Sequence, residues 1–343
     1  MGTVGKALPG PDHYAGPVAE ITAPVPLCAP NGTLNPAAVG WSRRPLHTAN
    51  LRGWGRTKRW EYWGILTRDV FVGLTISSLD YAGLHSVYVL DRRTGVETIR
   101  TAVEPLARSV ELPDRSGVGT ARARAGGLAL EFASTAAGTR ITAEAPGIRL
   151  VADVGPGQDC LAVVVPWSQR RFQYTVKDLG RPVSGALTLA GEDLRFGRDE
   201  DSFAVLDHGR GRWPYSITWN WAAGYGAVAG RRLGLQLGGK WTDGTGSTEN
   251  GLFVDGRLHK IHQDLEWVYD RSDWMAPWHI RGPRVEVTFA PFHERAERTD
   301  FGVIASEIHQ CFGIFAGWVL DDEHHKVPVD GLIGWAEEAR NRW

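Results

Sequence analysis

The 343-residue sequence predicts an all-β protein of two antiparallel β-barrel-like domains, or strongly curved sheets, preceded by an extended N-terminal arm. Strand-like segments recur at short intervals, Gly, Pro and Asp punctuate the gaps between them, and the three-four apolar spacing of an amphipathic helix is hard to find. Short strands without intervening helices build antiparallel barrels or sandwiches, not βαβ units.

Residues 1–40 are rich in Pro and Gly, with Cys28-Ala-Pro-Asn-Gly32 and Asn35-Pro36, and read as a turn-studded arm packed on the surface of the first domain. That barrel-like domain is expected over residues 41–190. Trp60-Glu-Tyr-Trp63 leads into Phe71–Leu79 and then His85–Leu90, two strands joined around Asp80-Tyr81. Strand signals continue at 98–103, 128–135, 139–145, 148–154 and 160–165. A second domain is expected over residues 191–343, with strands at Ser216–Trp221, Leu233–Leu237, Gly251–Val254, Leu258–Ile261, Asp264–Tyr269, Val285–Phe289 and Ile304–Trp318. Val285, Val287 and Phe289 share one face of their strand, and Arg284, Glu286 and Thr288 the other. Asp255-Gly256 between two such runs is a two-residue hairpin signal. The end, Gly334–Trp343, fits either one or two helical turns or a closing strand.

Composition excludes several partners. Formal net charge is -1, from 38 basic and 39 acidic residues, so there is no basic footprint for nucleic acid or an anionic membrane. The arginine pairs Arg43-Arg44, Arg170-Arg171 and Arg231-Arg232 read as short, isolated, solvated faces. No apolar run reaches membrane-spanning length and the first twenty residues carry no signal-type apolar stretch. Three widely spaced cysteines, Cys28, Cys160 and Cys311, fit a reducing compartment, so a cytoplasmic location is expected. Nucleotide-binding glycine loops, a Gly-x-Ser-x-Gly elbow and paired Cys-x-x-Cys motifs are absent from the sequence, and the expected chemistry uses no cofactor and no metal. Ten of the fifteen tryptophans lie between Trp213 and Trp343, a density that suits an aromatic-walled cavity as well as plain core.

The stretch Gly238-Gly-Lys-Trp-Thr-Asp-Gly-Thr-Gly-Ser-Thr-Glu249, followed by Asn250, concentrates an amine, an indole, two carboxylates and a carboxamide on a glycine-loosened loop. Asp243 and Glu249 fit a general acid and base if burial raises the pKa of one of them, and Lys240 could tune either. The same Asp-Gly-Thr-Gly run is also ordinary turn chemistry, with Asp243 capping its own backbone. Tyr215, Ile217, Trp219 and Trp221 share a strand face that fits a ligand slot or a core. Asp207-His208 pairs a carboxylate with a group that titrates near neutrality, although neighbours on a strand point to opposite faces. His259 could reach the cavity of Glu249 across its hairpin. His259 and His262 face opposite ways on a strand, which argues against a metal pair, and Asp321-Asp-Glu-His-His325 reads as an exposed loop.

Trp60-Glu-Tyr-Trp63, Asp80-Tyr81, Lys240–Gly246 with Thr248-Glu-Asn250, Trp274 to Trp278, His309-Gln310 and Gly334-Trp-Ala-Glu-Glu338 together resemble a bacterial family known only as domain of unknown function 2804, from about Pro26 to Trp343. More distantly, Asp207-His208 after a strand, followed by Trp219-Asn-Trp221, resembles the second-domain pattern of the calycin-like superfamily that includes carotenoid hydratases and lipocalin-like cyclases. That resemblance implies two lipocalin-like barrels and a hydrophobic small-molecule pocket. It puts the hydratase histidine on His208. Arg210 stands where that pattern has a tryptophan, and Leu233–Leu237 lacks its later tyrosine and acid, leaving Asp243, Glu249 or Asp207 to supply one.

The leading expectation is a protein that binds an apolar or amphipathic small molecule and carries out hydration, dehydration, isomerisation or cyclisation. Asp243, Glu249 and His208 would transfer protons, Lys240 and Asn250 would orient, Trp219, Trp221 and Trp241 would form walls, and Asp207 and His259 would lie beside the ligand. Two alternatives stay open: a carbohydrate-active enzyme using Asp243 and Glu249 as paired carboxylates, and a lipocalin-like binding protein without catalysis.

Overall fold

Strands alternating buried and exposed residues organise the chain into two large antiparallel sheets, in a computed structural model that describes residues 18–197, 202–300 and 305–342. The first sheet runs Val96–Pro105, Ala82–Asp91, Val70–Ser78, Thr57–Leu66, Phe203–Arg212, Arg171–Leu189, Ile148–Val154, Gly138–Ala145, Leu128–Thr135, Gly119–Ala125. It curls until its two ends face each other across one apolar core, where Val87, Val89 and Ala102 meet Ala121, Ala123 and Leu130, giving a nearly closed barrel. The second sheet is a half-barrel in the order Arg257–Ile261, Asn250–Val254, Arg231–Gly239, Ser216–Val228, Leu332–Arg342, Ala305–Leu320, Val285–Asp300, Trp278–Gly282, Glu266–Val268. Its own core is built on Leu235, Leu237, Trp278, Phe289 and Phe315.

A third apolar cluster joins the sheets. Phe71, Tyr88, Val163, Phe203 and Val205 from the first pack against Trp221, Phe253, Phe312 and Trp335 from the second. The edge-to-face contacts of Tyr62 with Trp221, at 5.8 Å between ring centroids, and with Trp335, at 6.2 Å, lie across this junction.

Period-two segments fold as the sequence predicts. Asp255 and Gly256 adopt φ of 49° and 83° and turn the hairpin in which Val254 faces Arg257. The C-terminal segment is a strand, Leu332–Arg342, paired on both sides. The first sheet ends at Arg212 and the second begins at Ser216, and Phe203–Arg212 inserts between Thr57–Leu66 and Arg171–Leu189. The longest strand, Arg171–Leu189, has no counterpart among the strands expected from the sequence and carries a register shift, a bulge, between Asp178 and Arg181.

That bulge depends on Gly180, which sits at φ +70°, and a Cβ there would lie 1.9 Å from the ring of Tyr225 in the second sheet. Gly180→Ala is therefore expected to cost about 1–3 kcal/mol. A fall in urea midpoint at unchanged m-value checks it.

Candidate active site between the sheets

The junction is apolar except along one seam. On Arg171–Leu189, Gln173, Thr175 and Lys177 share a face. Register brings Gly209 and Asp207 of Phe203–Arg212 opposite Thr175 and Lys177, with Trp60 of Thr57–Leu66 opposite Gly209. Gly209 and Gly211 leave this face open for a reason: a Cβ at Gly209 would lie 2.1 Å from the Trp60 ring, and one at Gly211 would lie 2.2 Å from the Gln173 amide. From the second sheet come Trp219 and Trp221, Glu337, Gln310, and Glu249 at the end of the glycine-rich loop.

These side chains form a connected set. Lys177 Nζ lies 3.0 Å from Asp207 Oδ1, 3.9 Å from Glu249 Oε1, and 4.1 Å from the Trp221 ring centroid. Three indole N–H groups each donate to a different carboxylate: Trp60 to Asp207 Oδ2 at 3.1 Å, Trp241 to Glu249 Oε2 at 2.9 Å, and Trp219 to Glu337 Oε1 at 2.9 Å. Thr175 Oγ1 donates to Asp207 Oδ1 at 3.3 Å and Gln310 Nε2 to Glu337 Oε2 at 2.8 Å. Glu249 Oε1 is buried and accepts no hydrogen bond.

Burial of three carboxylates beside one lysine sets the protonation. Burial pushes Glu249 up to about 7 even though Lys177 opposes the shift, and the neighbouring Asp207 adds to it. Glu337 is raised as well, chiefly by burial, against the Trp219 hydrogen bond and the Lys177 charge. Burial disfavours the ammonium of Lys177, but Asp207 and then Glu249 outweigh it and hold its pKa above the ordinary lysine value. The seam thus holds a carboxyl that keeps its proton near neutrality 3.9 Å from an ammonium, itself ion-paired to a carboxylate. That arrangement can give a proton from one group and take one at the other.

Of the residues singled out from sequence, Glu249, Asp207, Trp219, Trp221 and Trp241 meet at this seam. His208 does not. It points to the opposite face of its strand, fully buried beside Glu61 at 3.5 Å and near Arg210, and burial followed by the arginine charge lowers it to about 4. Asp243 is exposed and accepts the backbone N–H of Lys240 at 2.8 Å, so the loop uses it as a cap and the two loop carboxylates do not pair. Lys240 joins a different network, with Tyr269 and Glu338, because Glu338 faces away from its neighbour Glu337. Asn250 pins the loop, accepting from Gly238 N at 2.7 Å and donating to Gln263 O at 2.9 Å. His259 sits 3.2 Å from Asp322. Among the described residues no group of three His, Cys, Asp or Glu side chains is placed to hold a metal ion, Asp321–His325 included.

The indoles do not ring an open chamber. Trp213 lies 5.2 Å from Trp60, 5.8 Å from Trp167 and Trp219, and 5.5 Å from Trp241, so they form a packed row whose outer members, Trp60, Trp167 and Trp219, are half-buried. A hollow of about 880 Å³ lies elsewhere, lined by Arg44, Asp159, Asp178, Arg181, Gly256 and Arg257 among others. Sequence reasoning missed Lys177, the centre of the seam, and gave Glu337, Gln310 and Trp60 no role. The signal for Lys177 was its place on one polar strand face, the alternating series Arg171, Gln173, Thr175, Lys177.

Two curved antiparallel sheets, a nearly closed barrel and a half-barrel, meet around this seam and define an all-β, barrel-built protein. The chain belongs to the family described as domain of unknown function DUF2804, which it matches over residues 18–343. Among solved structures it is similar to CghA, at 14% identity and TM-score 0.52 over 95% of this chain and 97% of that one. CghA with Sch210972 gives 12%, 0.51, 94% and 96%. Kievitone hydratase from Nectria haematococca gives 9%, 0.47, 84% and 89%. At such identities the likeness shows the fold alone. No curated protein sequence matches the chain.

Proposed function

We propose that the protein binds an apolar or amphipathic small molecule along the tryptophan row and acts on it by acid–base chemistry, with Glu249 as the acid and Asp207 as the base. The observation that carries this reading is the Glu249 carboxyl, raised to about 7 by burial, with an oxygen that accepts no hydrogen bond 3.9 Å from Lys177. A protonated Glu249 would give its proton to a developing alkoxide, enolate or leaving hydroxyl. Asp207, ion-paired to Lys177, would take one from water or from carbon, so each turnover leaves the proton count unchanged. Addition or loss of water, isomerisation and cyclisation all fit this pairing. The carbohydrate alternative has less support, since Asp243 caps a turn in solvent. A purely binding role would have every seam carboxylate satisfied, which Glu249 Oε1 is not.

The test incubates a metabolite extract with wild type and with Glu249→Gln and follows it by mass spectrometry. The expected result is a species shifted by the mass of one water, or of unchanged mass and altered retention, formed about 10²–10⁴ times more slowly by the variant. Equal conversion by both proteins would exclude Glu249 as the acid.

A further inference from the structure

The hollow of about 880 Å³ falls within the size range of small-molecule sites, roughly 300–1,000 Å³, and both sheets build its wall. From the first come Asp178 and Arg181, at the bulge of Arg171–Leu189, with the loop of residues 156–160; from the second comes the hairpin tip Asp255-Gly256-Arg257. These parts are pinned together. Asp159 N donates to Gly256 O at 3.1 Å, and Asp159 Oδ2 accepts from Leu258 N at 3.0 Å. Lys177 and Asp178 are strand neighbours and point to opposite faces, so the hollow lies across that strand from the seam.

Asp178 is 9% exposed; its Oδ1 is buried and accepts no hydrogen bond, and its Oδ2 lies 3.5 Å from Nη1 of Arg181. Arg181 is held back because its Nε and Nη2 both donate to Gly155 O, at 2.9 and 2.6 Å. A buried acceptor without a donor costs stability until one arrives. Burial raises Asp178 to about 6 against the Arg181 charge, which leaves it mostly ionised at neutral pH. The other two acids of the wall are engaged, Asp159 with Arg43 and Asp255 with Arg231, each at 3.1 Å. Arg44 and Arg257 also line the hollow, both are exposed, and among the described residues no carboxylate pairs with either. A simple anion would be repelled by Asp178, and a simple cation by the two arginines.

We propose that this hollow is a second ligand site that takes a small zwitterion, its ammonium on Asp178 and its carboxylate on Arg44 and Arg257. An ammonium supplies the donors that Asp178 lacks, and guanidinium forks match carboxylate geometry. The site is independent of the chemistry assigned to the seam.

ω-Amino acids of two, four, six and eight carbons, each beside the alkylamine and the alkanoate of the same length, are titrated calorimetrically into the whole protein at neutral pH. At least one amino acid is expected to bind about tenfold or more tightly than both of its singly charged counterparts. Asp178→Asn is expected to remove its advantage over the alkanoate, and Arg44→Gln/Arg257→Gln its advantage over the alkylamine. Glu249→Gln is expected to bind it as wild type does. No binding by any amino acid, an amine or acid that binds as tightly as its amino acid, or an advantage that survives both sets of substitutions overturns the proposal. A loss of affinity in Glu249→Gln would put the ligand at the seam and overturn the second site. The arginine variant decides alone if Asp178→Asn fails to fold, since Arg44 and Arg257 are exposed.

Discussion

Lys177→Met is expected to destabilise the folded protein by about 3–5 kcal/mol at neutral pH, the loss typical when one partner of a buried ion pair is removed and the other stays. The methionine fills similar volume against Trp221 but leaves Asp207 without the ammonium 3.0 Å away. Thr175 and Trp60 still donate to Asp207, yet two neutral donors do not replace a charge in a junction otherwise built of indoles and aliphatic side chains. Urea unfolding at pH 7 reads the effect. A loss below about 1 kcal/mol, the range of exposed ion pairs, would mean that Lys177 is solvated and that the seam is not buried.

Glu249→Gln should behave in the opposite sense at high pH. In the native state this carboxyl titrates near 7, and in the unfolded chain near its ordinary 4.5. Below 4.5 it is neutral in both states and its contribution is fully present. As pH rises through the window, the unfolded chain gives up its proton first, so the native state loses stability until its own carboxyl ionises near 7. At about 1.4 kcal/mol for each pH unit, the loss is roughly 3 kcal/mol. Glutamine has no such titration. The variant should therefore gain relative to wild type between pH 4.5 and 7 and keep the advantage at about pH 8. Urea midpoints collected across this range decide the assignment, and a full decline in the glutamine variant would locate the raised carboxyl elsewhere.

Local pattern made much of the fold legible. Alternation in Arg284–Phe289 and the Asp255-Gly256 turn each act over a few residues, so the sequence displays them whole. Arg171–Leu189 was hidden because a bulge and a turn use the same residue types, and only the pairing of both flanks with Phe203–Arg212 and Ile148–Val154 distinguishes them. The site divides in the same way. Glu249, Trp241 and the Trp219-Asn-Trp221 segment attract notice by chemical density, and Asp207 by its histidine neighbour. Period two says that Asp207 and His208 face apart, but not which of them meets the second sheet. Lys177 reaches Glu249 only through sheet-to-sheet packing, so its alternating polar series marks a strand face without saying what that face meets. Within the glycine-rich loop, Asp243 and Glu249 look equivalent as carboxylates. What separates them is that the loop folds back at Thr248–Asn250, where Lys260 donates to Thr248 Oγ1 and to the carbonyls of Asn250 and Ile261, and buries one end while the other stays in water.

The insertion of Phe203–Arg212 between Thr57–Leu66 and Arg171–Leu189 also governs how the molecule is made. Trp63 waits through roughly 140 residues of intervening chain for its partner Leu206, a long loop closure of the kind that slows folding. During synthesis the meander from Thr57 to Pro105 emerges early with one flank unpaired, a bare template for other chains. Asp207 arrives on the very strand that covers that flank, so nascent polypeptides short of Arg212 leave the edge of Thr57–Leu66 uncovered and lack the carboxylate that pairs with Lys177.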